Sequence, residues 1–152
     1  MTIHYLERPT GKIAYDDAGG GPLVICVPSM GDLRGEFRFL APQIVAAGYR
    51  FISMDVRGHG DTSITWSDYS ISGIGSDLVA LIHSLNAGPA VIIGTSMAAG
   101  AAIWADRSAR TGIWHGFDQP LCAWWRQFAA QPIPLPALLR TMGASHVATL
   151  LF

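Results

Sequence analysis

The stretch "AVIIGTSMAAGAAIWAD", residues 90–106, puts one serine where chemistry can happen. Residues 90–93 are small or β-branched and suit a strand covered on both faces, whereas 98–105 are mostly strong helix formers. Only a tight turn joins the two. Ser96 sits in that turn with Gly94 two residues before it and Ala98 two after, a spacing that lets strand and helix approach closely and leaves the hydroxyl at the tip, as in a nucleophile elbow. A serine hydroxyl becomes a useful nucleophile when a base takes its proton and when donors face the oxyanion that forms. The turn offers one such donor, the backbone N–H of Met97. The competing assignment for Ser96 is a helix cap, a role common for serine but one with no need of small residues on both sides.

The elements that would carry this turn are legible on either side. "GPLVICVPSM" and "YRFISMDVRGHGD" are apolar runs, each fitting a central strand with a loop at its carboxyl end, and "AVIIGTS" is the third. Adjacent parallel strands are expected at 22–27, 50–55 and 90–94. Between them, "EFRFLAPQIVAAG" and "DYSISGIGSDLVALIHSLNAG" carry apolar residues at helical spacing and stop near Gly48 and Gly88. Such alternation builds right-handed βαβ units, with the site in the loops at the carboxyl ends of the strands. The opening "TIHYLERPTGKIAYDDAGG" has two shorter, more polar stretches that suit an antiparallel edge.

Composition narrows the class further. The chain has 152 residues, enough for one domain with a real core; half are hydrophobic, 14% are charged, and the formal net charge is −1. A nucleic-acid partner is not expected from that balance. The start lacks a basic segment followed by an apolar run, and apolar stretches break well short of a membrane span, so the expectation is a cytoplasmic protein without a membrane partner. Cys26 and Cys122 form neither a disulfide framework nor a metal-ligand spacing. "AGGGP" at 18–22 lacks the lysine of a phosphate-binding loop and reads as a turn.

Taken in order, "PLVICVPSMGD", "ISMDVRGHGDTS" and "VIIGTSMAAG" resemble the α/β-hydrolase superfamily of serine esterases, lipases, peptidases and cofactor-free haloperoxidase relatives. The resemblance covers roughly residues 10–106. It implies an α/β fold, a partial α/β-hydrolase fold with a mainly parallel sheet flanked by helices. It also implies Ser96 as nucleophile, a small ester or related acyl compound as substrate, and no cofactor or metal. The family's usual G-x-S-x-G becomes "GTSMA", Ala98 replacing the last glycine with another small residue. A second oxyanion donor is implied in the loop after "VICVPSM", where Pro28-Ser29 stands in place of a frequent His-Gly, and the backbone N–H of Met30 fits it. By the same resemblance His59, in "DVRGHG", belongs to a loop that shapes the pocket, with Asp55 and Arg57 bracing it. The family's acid and base come later in the chain.

From about Arg107 the pattern changes. Residues 107–152 hold three of the five tryptophans, an alternation of Pro132, Pro134 and Pro136, and no clean strand or helix period. The division expected is therefore 1–106 as the amino-terminal part of a hydrolase domain and 107–152 as an atypical tail. Dropping one base at Asp106 lets permitted codons for "DRSARTGIWHGFDQPLCAWWRQ" read as "TDPPERVSGMVLINPFVRGGAS", whose "GMVLINPF" is the strand a hydrolase places next. A lost reading frame would leave the nucleophile without an identifiable acid or histidine and so with little or no turnover. Two rival readings exist. One is a non-catalytic interaction module, self-associating through the sheet edge left open beyond the third parallel strand. The other is a short enzyme in which His115 or His146 folds back to Ser96.

Overall fold

The computed structural model describes residues 3–110 and 147–151. Its elements are β1 (Ile3–Arg8), β2 (Gly11–Gly19), β3 (Leu23–Val27), a 3₁₀ helix (Arg34–Phe39), α1 (Ala41–Ala46), β4 (Arg50–Met54), α2 (Ile71–Leu85), β5 (Ala90–Thr95), α3 (Met97–Arg110) and β6 (Val147–Leu151). One six-stranded sheet runs in the order β1-β2-β4-β3-β5-β6. Its centre, β4-β3-β5, is parallel, with Val24 opposite both Phe51 and Val91. The β1–β2 and β2–β4 pairs are antiparallel, so the polar opening forms the expected edge.

Period-two alternation divides the central strands between two cores. Leu23, Ile25 and Val27 of β3 join Ile52, Met54, Ala90 and Ile92 in a cluster covered by α2 and α3. The intervening Val24 and Cys26, with Phe51, Val91 and Ile93, pack against Phe37, Leu40 and Ile44 on the opposite face. Each such aliphatic side chain contributes about 1.5–3 kcal/mol when fully buried, which makes the continuous apolar runs the largest favourable term in the fold. Burial on both faces also forces them to the middle of the sheet.

The first helical segment departs from a single continuous helix. The chain makes a 3₁₀ helix to Phe39 and begins α1 at Ala41, with Pro42 in its first turn. Proline has no N–H to donate backwards, so the hydrogen-bond ladder restarts there. α2 starts on a true cap: Ser70 is extended and its Oγ accepts the Gly73 N–H at 3.1 Å. It ends at Asn86, left-handed at φ 44°, two residues short of the expected Gly88. α3 runs on to Arg110, beyond the change of sequence pattern near 106.

The far side of β5 is occupied. β6 pairs with it antiparallel, Val91 opposite Leu151 and Thr95 opposite Val147, so the edge that the sequence reading leaves open carries a ladder. Strand edges present unpaired N–H and C=O groups, and any extended segment within reach satisfies them. His115, His146, Cys122 and the proline alternation lie outside the described residues.

Candidate active site

The turn at Ser96 has the geometry that its neighbours permit. β5 ends at Thr95, Ser96 takes a left-handed φ of 51°, and α3 begins at Met97. Together with Asn86 it is one of two non-glycine residues in that region of the map among the described residues. The conformation costs an L-residue about 1–2 kcal/mol and turns the side chain outward. Close approach of strand and helix leaves no room at Gly94, where an added Cβ would lie 2.8 Å from the carbonyl carbon of Ala98 and 3.1 Å from its Cβ. Small residues at 94 and 98 are therefore a packing requirement.

Ser96 is exposed, and its Oγ makes no hydrogen bond among the described residues. This separates it from Ser70. Ser70 has extended backbone and caps α2, whereas Ser96 is left-handed and satisfies none of the first amides of α3 with its side chain. Capping is not what this serine does. Its carbonyl accepts the Ala99 N–H at 3.1 Å, closing the turn. The Met97 N–H is the first amide of α3, a position whose donor has no partner within a helix.

The second loop follows β3. Asp32 N–H donates to the Ser29 carbonyl at 3.2 Å, and Gly31 N–H donates to Nε2 of His59 at 3.3 Å. Burial pushes the Glu36 carboxyl up, while the backbone N–H of Ser29 draws it partly back. The amide of Met30 has no partner among the described residues, and its side chain is 69% exposed.

An ionic frame fixes both this loop and the next. Asp55, fully buried at the carboxyl end of β4, accepts the backbone N–H of Arg34 at 2.8 Å, the Arg34 guanidinium, and the backbone N–H of Asp61 at 3.1 Å. Arg34 also reaches Asp61 at 2.7 Å and Asp16 at 3.3 Å. Gly60, at φ 52°, packs so tightly on this carboxylate that a Cβ would sit 2.2 Å from Asp55 Oδ2. Beside it, Arg57 donates to the buried Asp77 at 2.6 and 3.0 Å, lies over the Trp66 ring at 4.4 Å, and shares Asp77 with Arg8. Asp55 and Arg57 do brace the loop.

His59 is committed to that frame. Its Nδ1 lies 3.0 Å from the Arg57 carbonyl and its Nε2 accepts from Gly31, so both ring nitrogens are engaged. His4 stacks on Tyr15, and His83 is in the last turn of α2, at the amino-terminal end of the parallel strands. Among the described residues no histidine or carboxylate hydrogen-bonds Ser96, and no group of three or more His, Cys, Asp or Glu side chains is placed to hold a metal. A groove of about 480 Å³ runs along α3 and the start of α2, lined by Ile71, Gly100, Ile103, Trp104, Arg107 and Ser108.

A strand-turn-helix with a left-handed serine, seated at the carboxyl end of a parallel sheet, is matched across residues 22–107 by the family model for the alpha/beta hydrolase fold. The chain belongs to the α/β-hydrolase fold family. Over 89 residues it is 36% identical to a Mycobacterium tuberculosis protein that carries the name non-heme bromoperoxidase BpoC, covering 58% of this chain and 34% of that one. Among solved structures it is similar to a bromoperoxidase from Bacillus anthracis (28% identity, TM-score 0.63, covering 68% of this chain and 38% of that one). It is also similar to an epoxide hydrolase from an endophytic Streptomyces (27% identity, TM-score 0.64, covering 70% and 33%). The chain thus spans about a third of the length of these relatives.

The sequence singled out Ser96, Met97, Met30, Asp55, Arg57 and His59, and these fall on the elbow and on two loops at one end of the sheet. It did not find Arg34 as the hub of three carboxylates. The signal was present only as a basic residue amid Asp16, Asp55 and Asp61, positions far apart in the chain.

Proposed function

We propose that this hydrolase-family chain carries the nucleophile half of a serine acyl-hydrolase site, with Ser96 as nucleophile and the backbone N–H groups of Met97 and Met30 as oxyanion donors. The observation that carries the reading is the left-handed Ser96 at φ 51°, exposed and not capping α3. The choice of Met30 is supported within its loop: the amides of Gly31 and Asp32 have acceptors, whereas that of Met30 has none among the described residues. Met30, Leu33 and Ile71 present exposed apolar side chains at the same end of the sheet, which favours an ester of an apolar acyl group over a charged substrate. The chemistry needs no cofactor.

Activation is what the described residues leave out. Without a base at Ser96 the hydroxyl keeps its proton, and the elbow and oxyanion donors retain only a small part of the rate of a full triad. The chain therefore turns over little or no ester by itself. Residues 107–152 are, on this reading, an atypical tail produced by a change of frame near residue 106; coding DNA incompatible with the shifted string would exclude that origin.

A fluorophosphonate probe tests the nucleophile directly. Phosphonylation mapped by mass spectrometry should fall on Ser96, slow in buffer, accelerated by added imidazole as a diffusible base, and absent in Ser96→Ala. No adduct on Ser96 even with imidazole overturns the nucleophile assignment. Ester turnover in plain buffer that Ser96→Ala abolishes overturns the inactivity.

A further inference from the structure

We propose that His59 is a positioning residue for the Ser96 site, its neutral imidazole holding the loop after β3 in the shape that leaves the Met30 amide open to an oxyanion. The proposal rests on the reading of Ser96 and Met30 given above. Its own foundation is a chain of hydrogen bonds whose donors and acceptors are fixed by chemistry. A backbone carbonyl can only accept, so Nδ1, 3.0 Å from the Arg57 oxygen, carries the proton. A backbone amide can only donate, so Nε2, 3.3 Å from the Gly31 nitrogen, presents its lone pair. One protonation state meets both demands: the neutral ring with hydrogen on Nδ1.

The residue that carries this ring is itself held. His59 N–H donates to the Val56 carbonyl at 3.0 Å, and its own carbonyl accepts the Thr62 N–H at 3.0 Å. Thr62 is buried, with its hydroxyl bonded to the Asp55 carbonyl at 3.0 Å and accepting the Ala14 N–H at 2.9 Å. His59 is therefore a post anchored to the end of β4 and the middle of β2, and Gly31 is tied to it. Gly31 adopts φ 89° and an added Cβ there would meet nothing within 4 Å, so packing does not hold the glycine in place. Directed hydrogen bonds do. The Arg34 amide on Asp55 fixes the far end of the loop, Pro28 is buried at the near end, and the Gly31–His59 bond is the one that reaches its middle.

Met30 lies immediately before Gly31, and the Met30 carbonyl and Gly31 N–H share the peptide plane by which the chain leaves Met30, so the Gly31–His59 bond restrains the backbone on the carboxyl side of Met30. Release of Gly31 frees the φ and ψ of Met30 and so the preceding peptide plane, which carries the Met30 amide, to turn off its aim. A misplacement of about 1 Å in a positioned group is enough to cost a large factor in rate.

The test uses the isotopically labelled chain and two substitutions. His59→Phe keeps a flat ring of similar size and removes the acceptor; His59→Gln keeps a carbonyl oxygen within reach of Gly31. Long-range proton–nitrogen spectra of the wild type should show the imidazole protonated on Nδ1. Amide exchange at Gly31 should quicken about tenfold in His59→Phe and return towards the wild-type rate in His59→Gln, and imidazole-assisted phosphonylation of Ser96 should fall and recover in parallel, by about tenfold. A ring protonated on Nε2, or Gly31 exchange unchanged in His59→Phe, overturns the hydrogen bond. Gly31 exchange that responds while Ser96 labelling does not overturns the positioning role. If the wild type takes no label at Ser96, the reading beneath the proposal falls, and the spectra then show only that His59 orders a loop.

Discussion

Replacing Ser96 with glycine, and separately with alanine, measures what the elbow costs the fold. At φ 51° the serine occupies a region that an L-residue enters at about 1–2 kcal/mol, a cost that glycine avoids. Glycine also loosens the unfolded chain, which takes back about 0.4–1 kcal/mol. The difference leaves Ser96→Gly more stable than the wild type by about 1 kcal/mol. Alanine keeps the Cβ and the strain, and the Ser96 hydroxyl has no hydrogen bond to lose among the described residues, so Ser96→Ala should lie within about 0.5 kcal/mol of the wild type. With a urea dependence of about 1.5 kcal/mol/M, the glycine variant should unfold at a midpoint about 0.7 M higher, followed by circular dichroism. A capping serine makes the opposite prediction: alanine would lose about 1 kcal/mol and glycine a few tenths, neither exceeding the wild type. A glycine midpoint at or below that of the wild type would refute the strained turn, and with it the main support for a nucleophile at this position.

Three further outcomes follow from the packing around the site. Asp55→Asn removes the charge that faces Arg34 in a fully buried position, and should cost about 3 kcal/mol in urea unfolding, because Arg34 loses one of three carboxylates and two backbone amides lose an ionic acceptor. Gly75→Ala should lower stability by about 1–3 kcal/mol despite a gain in helix propensity, since the new Cβ would lie 2.5 Å from Trp104 Cε3 and 2.9 Å from the Ala101 carbonyl; a more stable variant would show that α2 and α3 separate freely. Cys26 is fully buried and burial pushes its thiol well up, so mass-mapped alkylation at pH 8 should spare it in the folded chain and modify it once urea unfolds the protein.

How much of this was legible in the sequence depends on how local the determinant is. The strands at 23–27, 50–54 and 90–95 were read because doubly covered strands are continuous apolar runs, and the chain contains three of them. Their parallel pairing followed from the helices between them. The elbow was read from Gly94, Ser96 and Ala98, three residues within five positions, each with a steric reason. The start of α1 at Ala41 was missed although Pro42 announces it, because the apolar spacing of "EFRFLAPQIVAAG" continues through the break. Long-range ionic contacts had no such signature: Arg34 and its partners at 16, 55 and 61 look like ordinary surface charges until the sheet brings them together. The pairing of β6 with β5 was equally hidden, since "VATLL" is too short to announce a partner and its register joins residue 147 to residue 95.

The same contrast explains why the half of the site proposed here is the half most easily written into a sequence. A nucleophile on an elbow and amides at a loop and helix start are backbone devices, fixed by glycine, by small side chains and by where a strand ends. Their geometry survives as long as the local sheet does. A base and an acid are side chains that must arrive at the serine from distant elements, so they depend on every strand and helix that comes between. In this chain the three parallel strands, the two flanking helices and the Asp55–Arg34 frame position the elbow and the two loops to which the proposal assigns the first set. Imidazole added from solution tests whether the second set is the only thing Ser96 lacks: if the elbow and its amides are correctly formed, a diffusible base should restore reactivity at Ser96, and each mutation that disturbs Gly31 or Asp55 should reduce that rescue while leaving the reaction of free imidazole with the probe unchanged.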